Sequence, residues 1–151
     1  MSELTKEDKL TAASALQKVL EGEELSIRAY NSSLEQIDNE DVKKLLSAFQ
    51  DDHKLIIERI KSRMRSLGQD PKSNLGVVEL IDQAMMEVAG LVGLGPTDKD
   101  VLEKIYNNEA RGLQKIQNVK TSTLDAQSQK LIERIKTINV NNLGQLKDLL
   151  N

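Results

Sequence analysis

The stretch Leu16–Ile37, LQKVLEGEELSIRAYNSSLEQI, carries apolar side chains at Leu16, Leu20, Ile27, Tyr30, Leu34 and Ile37. Apart from one step of seven, these positions recur by threes and fours, the seam of a helix in a left-handed bundle. The slot inside that step is Glu23. Upstream, Thr5 followed by Asp8 predicts a capped helix start with an acidic residue in the first turn. Downstream, Asp38-Asn39-Glu40-Asp41 ends this helix near Ile37 and opens a second.

The second helix is predicted from about Asp41 to Leu67, with the seam Val42, Leu45 or Leu46, Phe49, Ile56, Ile60, Met64 and Leu67. Again one slot is polar: His53. Gly68 supplies the stop and Pro71 prevents continuation. A third segment, Asn74 to Gly93, has Val78, Ile81, Met85, Val88 and Val92 at bundle spacing and reads as a helical crossover. Thr97-Asp98 opens a helix to about Lys120 with the seam Leu102, Ile105, Leu113 and Ile116, and Glu109 fills its polar slot. A last long helix is expected from Leu124 to Ile138, with Leu124, Leu131, Ile135 and Ile138 on one face. Behind Asn141-Asn142 a short C-terminal helix would carry Leu143, Leu146 and Leu150. No segment alternates in polarity as a strand does. The expectation is one all-α domain over residues 1–151: two helical hairpins joined by a long crossover.

Composition agrees and excludes much. The 151 residues are 38% hydrophobic and 30% charged, enough for a soluble chain with a core, but only 2% aromatic, with Tyr30, Phe49 and Tyr106 and no Trp. A core of Leu, Ile, Val and Met suits helices, and a chain without aromatic platforms is a poor single-strand nucleic-acid reader. A net charge of −3 removes the electrostatic basis for gripping a phosphate backbone. There is no Cys, which excludes disulfides, zinc–thiolate sites and thiol catalysis. The polar start and the broken apolar run Met85–Leu94 lack the pattern of a signal peptide or membrane span, so a cytoplasmic protein is expected. The basic stretch Lys54–Arg65, interleaved with Glu58 and apolar residues, reads as a solvated helix face.

Glu23, His53 and Glu109 thus occupy core slots on three helices. A buried carboxylate must be paired, protonated or metal-bound. One imidazole with two carboxylates is the donor set of carboxylate metal sites in bundle cores. It is equally the set of a salt-linked cluster in which a charged His53 lies between Glu23 and Glu109.

The pattern resembles the rubrerythrin branch of the ferritin-like superfamily, and small bacterial ferritin-like domains in particular. Gly22-Glu23 with Tyr30 seven residues on is similar to that family's first helix, Gln50-Asp51-Asp52-His53 to its Glu-x-x-His, Asn108-Glu109-Ala110 to its third bundle helix, and Leu67-Gly68-x-x-Pro71 to the turn after its second. The resemblance implies a ferritin-like four-helix bundle with an extra crossover helix and a link to stress response. It also implies a dinuclear iron site, from which this chain departs. Gln50 replaces a bridging carboxylate, and the last helix has no second Glu-x-x-His because His53 is the single His. Glu133 with Lys136 has the family's offset but faces away from the seam. What the resemblance leaves is one iron or other divalent cation held at most by Glu23, Gln50, His53 and Glu109. The expected function is a non-catalytic bundle with an eroded metal site. It would act by association, as a homodimer or larger homo-oligomer through Met86, Leu91, Leu94, Leu146 and Leu150, with no nucleic acid, no membrane and no named protein partner. The alternative is an iron-binding ferroxidase or peroxide-reducing protein.

Overall fold

The computed structural model describes residues 3–73 and 97–151. They form four helices: α1, Lys6–Ser33; α2, Glu40–Ser66; α3, Asp98–Gln117; and α4, Ala126–Leu150. No strand occurs among the described residues. None of their helices is long and apolar enough to cross a membrane. The crossover expected over Asn74–Gly93 lies outside them, as do Met86, Leu91 and Leu94.

Local chemistry sets the helix ends. Thr5 and Asp8 form a reciprocal capping box at the start of α1, and Thr97 and Asp100 repeat it at α3, each satisfying backbone donors that a helix start otherwise leaves open. A 3₁₀ turn, Leu34–Gln36, follows α1. Asn39 then caps α2 by accepting from the N–H groups of Asp41 and Val42. At the far end Gly68 takes φ +79°. Its N–H donates to Arg65 O and that of Gln69 to Met64 O, the paired bonds of a Schellman stop that glycine makes without strain.

The buried apolar side chains fall into two groups at opposite ends of the bundle. One holds Leu16, Leu20 and Ile27 of α1 with Ile56, Ile60 and Met64 of α2, Ile116 of α3, and Ile132 and Ile135 of α4. The other holds Tyr30, Leu34, Ile37, Leu46, Phe49, Leu102, Ile105 and Leu146. Following each helix from one group to the other gives its direction: α1 is antiparallel to α2 and α3, and parallel to α4. Helices α2 and α3, consecutive among the described elements, are therefore parallel. The hairpins are α1–α2 and α3–α4, as expected. The α1–α2 corner is tied to α3 by Asp98, whose carboxylate accepts from the N–H groups of Asp38 at 2.7 Å and Asn39 at 3.0 Å.

Helix α1 crosses α3 at closest quarters where Gly22 meets Gly112. A Cβ on Gly22 would stand 2.7 Å from the Gly112 carbonyl oxygen, and one on Gly112 would overlap Gly22 O and Ser26 Oγ. This contact sets the backbones close together beside Glu23 and Glu109.

Two expectations about the C-terminal part need correction. No break or separate short helix follows Ile138: α4 runs unbroken through Asn141-Asn142 to Leu150. Asn costs a helix only about 0.7 kcal/mol relative to Ala, whereas burying one Leu returns about 1.5–3 kcal/mol, and Leu146 is completely buried. The inward face keeps Leu124 and Ile135 as expected but departs at the other two positions, where Ile132 and Asn139 point inward in place of Leu131 and Ile138. Ser128, Ile132, Ile135, Asn139, Asn142 and Leu146 are buried, while Leu131 and Ile138 are partly buried. Three polar members of the true seam displaced the apolar pattern. The same burial removes Leu146 from the surface surplus expected to drive self-association, and Leu150 packs partly against the second apolar group.

Candidate functional site

Between the two apolar groups the core is polar. Glu23 of α1, His53 of α2, Glu109 of α3 and Asn139 of α4 are all buried, with Glu23 and His53 wholly sealed from solvent. All three residues singled out on the first three helices therefore meet. His53 lies between the carboxylates: Nδ1 is 2.6 Å from Glu23 Oε2, and Nε2 bonds Glu109 Oε1. Asn139 Nδ2 donates to Glu23 Oε1, and the Tyr30 hydroxyl donates to Glu109 Oε1 at 2.7 Å. The Tyr30 ring stands 5.5 Å from the imidazole, centroid to centroid, tilted by 40°.

Only a protonated imidazole has an N–H on both sides, so with both acids ionised the two contacts require the imidazolium. Burial by itself pushes the ring's pKa down. The charge of Glu23 and the hydrogen bonds the ring donates to both carboxylates outweigh it, and the pKa rises from 6.5 to about 10. Tyr30 is held well above its usual range, first by burial and then by the Glu109 charge, so it stays a neutral donor. The cluster carries two negative charges and one positive, with a phenol and an amide to spread the remainder.

Gln50 does not join it: its side chain donates to Asn31 Oδ1 on α1 at 2.8 Å. Asp51 and Asp52 are exposed. Glu133 points outward as expected, bonding Thr121 and Lys136. The position that α4 brings to the site is Asn139. Its signal is present in the sequence, since Ile132, Ile135, Asn139, Asn142 and Leu146 are spaced three, four, three and four, but the helix expected there stops at Ile138, with the break at Asn141-Asn142. The seam spacing places Tyr30 in the core but carries no signal for its bond to Glu109.

This arrangement does not fit a dinuclear iron centre. Each nitrogen of the one imidazole faces a carboxylate, the ring stands between the two acids, and the fourth helix offers an amide. Among the described residues, no group of three His, Cys, Asp or Glu side chains is arranged to hold a metal ion. Two buried oxygens, Glu109 Oε2 and Asn139 Oδ1, have no hydrogen-bond partner among the described residues.

The family described as "Domain of unknown function (DUF2383)" matches residues 11–122, most of the chain. The chain belongs to the DUF2383 family. The matched span takes in Glu23, Tyr30, His53, Glu109 and the Gly22–Gly112 contact, and stops before α4 and Asn139. No curated protein matches the chain.

Proposed function

We propose that this DUF2383 chain is a non-catalytic ferritin-like bundle in which a buried imidazolium has taken over the electrostatic role of a core metal. The observation that carries the reading is the engagement of both His53 nitrogens by Glu23 and Glu109. A cation in a bundle core neutralises facing carboxylates, and here the charged ring does so from within the chain. The parallel pair α2–α3 supports the ferritin-like part, because that topology needs the long central crossover which the resemblance implies. The protein acts by association, as a homodimer or larger homo-oligomer in the cytoplasm, within a stress response.

One observation favours a second reading. Unpaired buried acceptors are costly, and Glu109 Oε2 and Asn139 Oδ1 are hard oxygen donors in the polar layer. They are the kind of donor a divalent cation takes; as the cluster stands no group of three is arranged to hold one among the described residues, so Glu23 and Glu109 would serve as its carboxylates only by giving up His53. One experiment separates the two readings. Protein grown with added iron is analysed for metal, and its melting temperature is followed on adding Fe(II), Mn(II) or Zn(II). The first reading expects no bound stoichiometric metal and no rise in melting temperature. A stoichiometric metal content with a rise abolished by Glu23→Ala overturns it in favour of the cation-binding protein. Sedimentation tests the association, and a clean monomer at micromolar concentration counts against it.

A further inference from the structure

The basic stretch on α2 does not face solvent alone. Arg59, Ser62, Arg63 and Ser66 lie at spacings of three, four and seven, one stripe of a helix. Gln127, Lys130, Leu131 and Arg134 form a stripe of the same spacing on α4. The two helices are antiparallel, and these stripes wall a groove of about 460 Å³.

One end of the groove is fixed. The Arg63 guanidinium donates to Asp125 Oδ2 at 2.7 Å and to Ser128 Oγ at 3.2 Å. Asp125 in turn caps α4 by accepting from the Ser128 N–H. Arg63 is therefore oriented and neutralised by a carboxylate that is itself mostly buried. The other three cations are different. Arg59, Lys130 and Arg134 are exposed and make no ion pair or hydrogen bond among the described residues. The neighbouring acids are committed elsewhere, Glu58 towards Lys61 and Glu133 to Lys136 and Thr121. Three uncompensated charges thus converge on one groove of a protein whose net charge is −3. Like charges brought together cost free energy unless an anion shares them.

We propose that this groove binds a small phosphate-bearing anion of two or three negative charges. Guanidinium forks match phosphate oxygens in pairs, while Ser62 adds a hydroxyl donor and Leu131 gives an apolar wall; the Ser66 hydroxyl is already donated to Arg63 O at 2.7 Å. The volume lies within the range of about 300–1,000 Å³ usual for small-molecule sites. The groove is too short a basic track for nucleic acid and lies on a chain whose overall charge repels it. The site is separate from the buried cluster, and its test does not depend on it.

The probe is inorganic pyrophosphate, titrated into the full chain by calorimetry at constant ionic strength, with sodium chloride and inorganic phosphate as comparisons. Vesicles of phosphatidylcholine with and without phosphatidic acid form the lipid arm, and a short single-stranded oligonucleotide the nucleic-acid arm. The expected result is saturable one-site binding of pyrophosphate that weakens with salt. Arg59→Gln with Arg134→Gln should weaken it by about tenfold or more, while Lys9→Gln with Lys147→Gln, which removes two exposed lysines elsewhere, leaves it unchanged. Both double variants replace exposed side chains, and unaltered circular dichroism and melting check that they fold. Binding confined to the phosphatidic-acid vesicles, lost in the same arginine variant, assigns the same phosphate chemistry to a headgroup. Equal response of the two double variants, no binding of pyrophosphate or vesicles, or binding of the oligonucleotide alone overturns the proposal.

Discussion

Replacing Glu23 by Gln removes one negative charge from the core while keeping the side chain's volume and an acceptor for Asn139. In the native protein the His53 ring is driven from 6.5 to about 10, which at about 1.4 kcal/mol per pH unit corresponds to roughly 5 kcal/mol favouring the charged ring. Glu23 contributes the largest of the favourable electrostatic causes and accepts at 2.6 Å. Without it, a fully buried cation keeps only Glu109. Breaking a buried pair in this way costs about 3–5 kcal/mol, a large share of the 5–15 kcal/mol that typically holds a domain folded. Urea unfolding followed by far-ultraviolet circular dichroism measures the loss, since the chain has no Trp. The deficit should be full below about pH 6.5 and shrink as pH rises towards 10, where the native protein itself loses the ring's proton. Removing the whole network is expected to behave oppositely. With Glu23, His53, Glu109 and Asn139 all changed to Leu and Tyr30 to Phe, no orphaned polar group remains from the cluster, and stability should equal or exceed that of the native protein. A loss below about 1 kcal/mol for Glu23→Gln, the value of an exposed pair, would mean that Glu23 does not hold a buried charged ring.

Because the folded-state pKa of His53 lies above its unfolded value, its contribution is fully present below 6.5 and is lost as pH rises through about 10. Stability should therefore fall across that window by up to about 1.4 kcal/mol per pH unit relative to a His53→Gln variant, measured by urea titrations at several pH values. Gly112→Ala should destabilise by about 1–3 kcal/mol despite the better helix propensity of Ala, because its Cβ overlaps Gly22 O and Ser26 Oγ; unchanged or raised thermal stability would contradict the close crossing. Leu146→Ala should cost about 2–5 kcal/mol, since Leu146 is completely buried; a near-neutral result would mean that α4 does not continue into the core.

The helices and most of their ends were legible because their signals are local. Thr5 with Asp8, Gly68 and Thr97 each act within one turn, and the seams of α1 to α3 are apolar apart from one slot apiece. That each polar slot held Glu23, His53 or Glu109 also sufficed to locate the cluster, because seam residues of packed helices must meet. The seam of α4 was harder to read, since Ser128, Asn139 and Asn142 occupy half of it and Asn carries equal weight as a helix breaker. Whether His53 sits between the acids or beside them could not come from spacing. That depends on how near α1 and α3 approach, which the glycines at 22 and 112 decide by lacking side chains. The groove was hidden for the same kind of reason: Arg59 and Arg134 are far apart in sequence, and each stripe alone is an ordinary solvated face.

His53 is the single histidine of the chain, so its imidazole resonances in a nuclear magnetic resonance titration need no assignment. In the native protein this ring is a buried imidazolium held by Glu23 and Glu109. Its nitrogen shifts should be those of the doubly protonated form throughout the neutral range, with a midpoint near 10, and should be unaffected by added Zn(II). A midpoint near the ordinary 6.5, or the shift of a ring nitrogen bound to added metal, would contradict it.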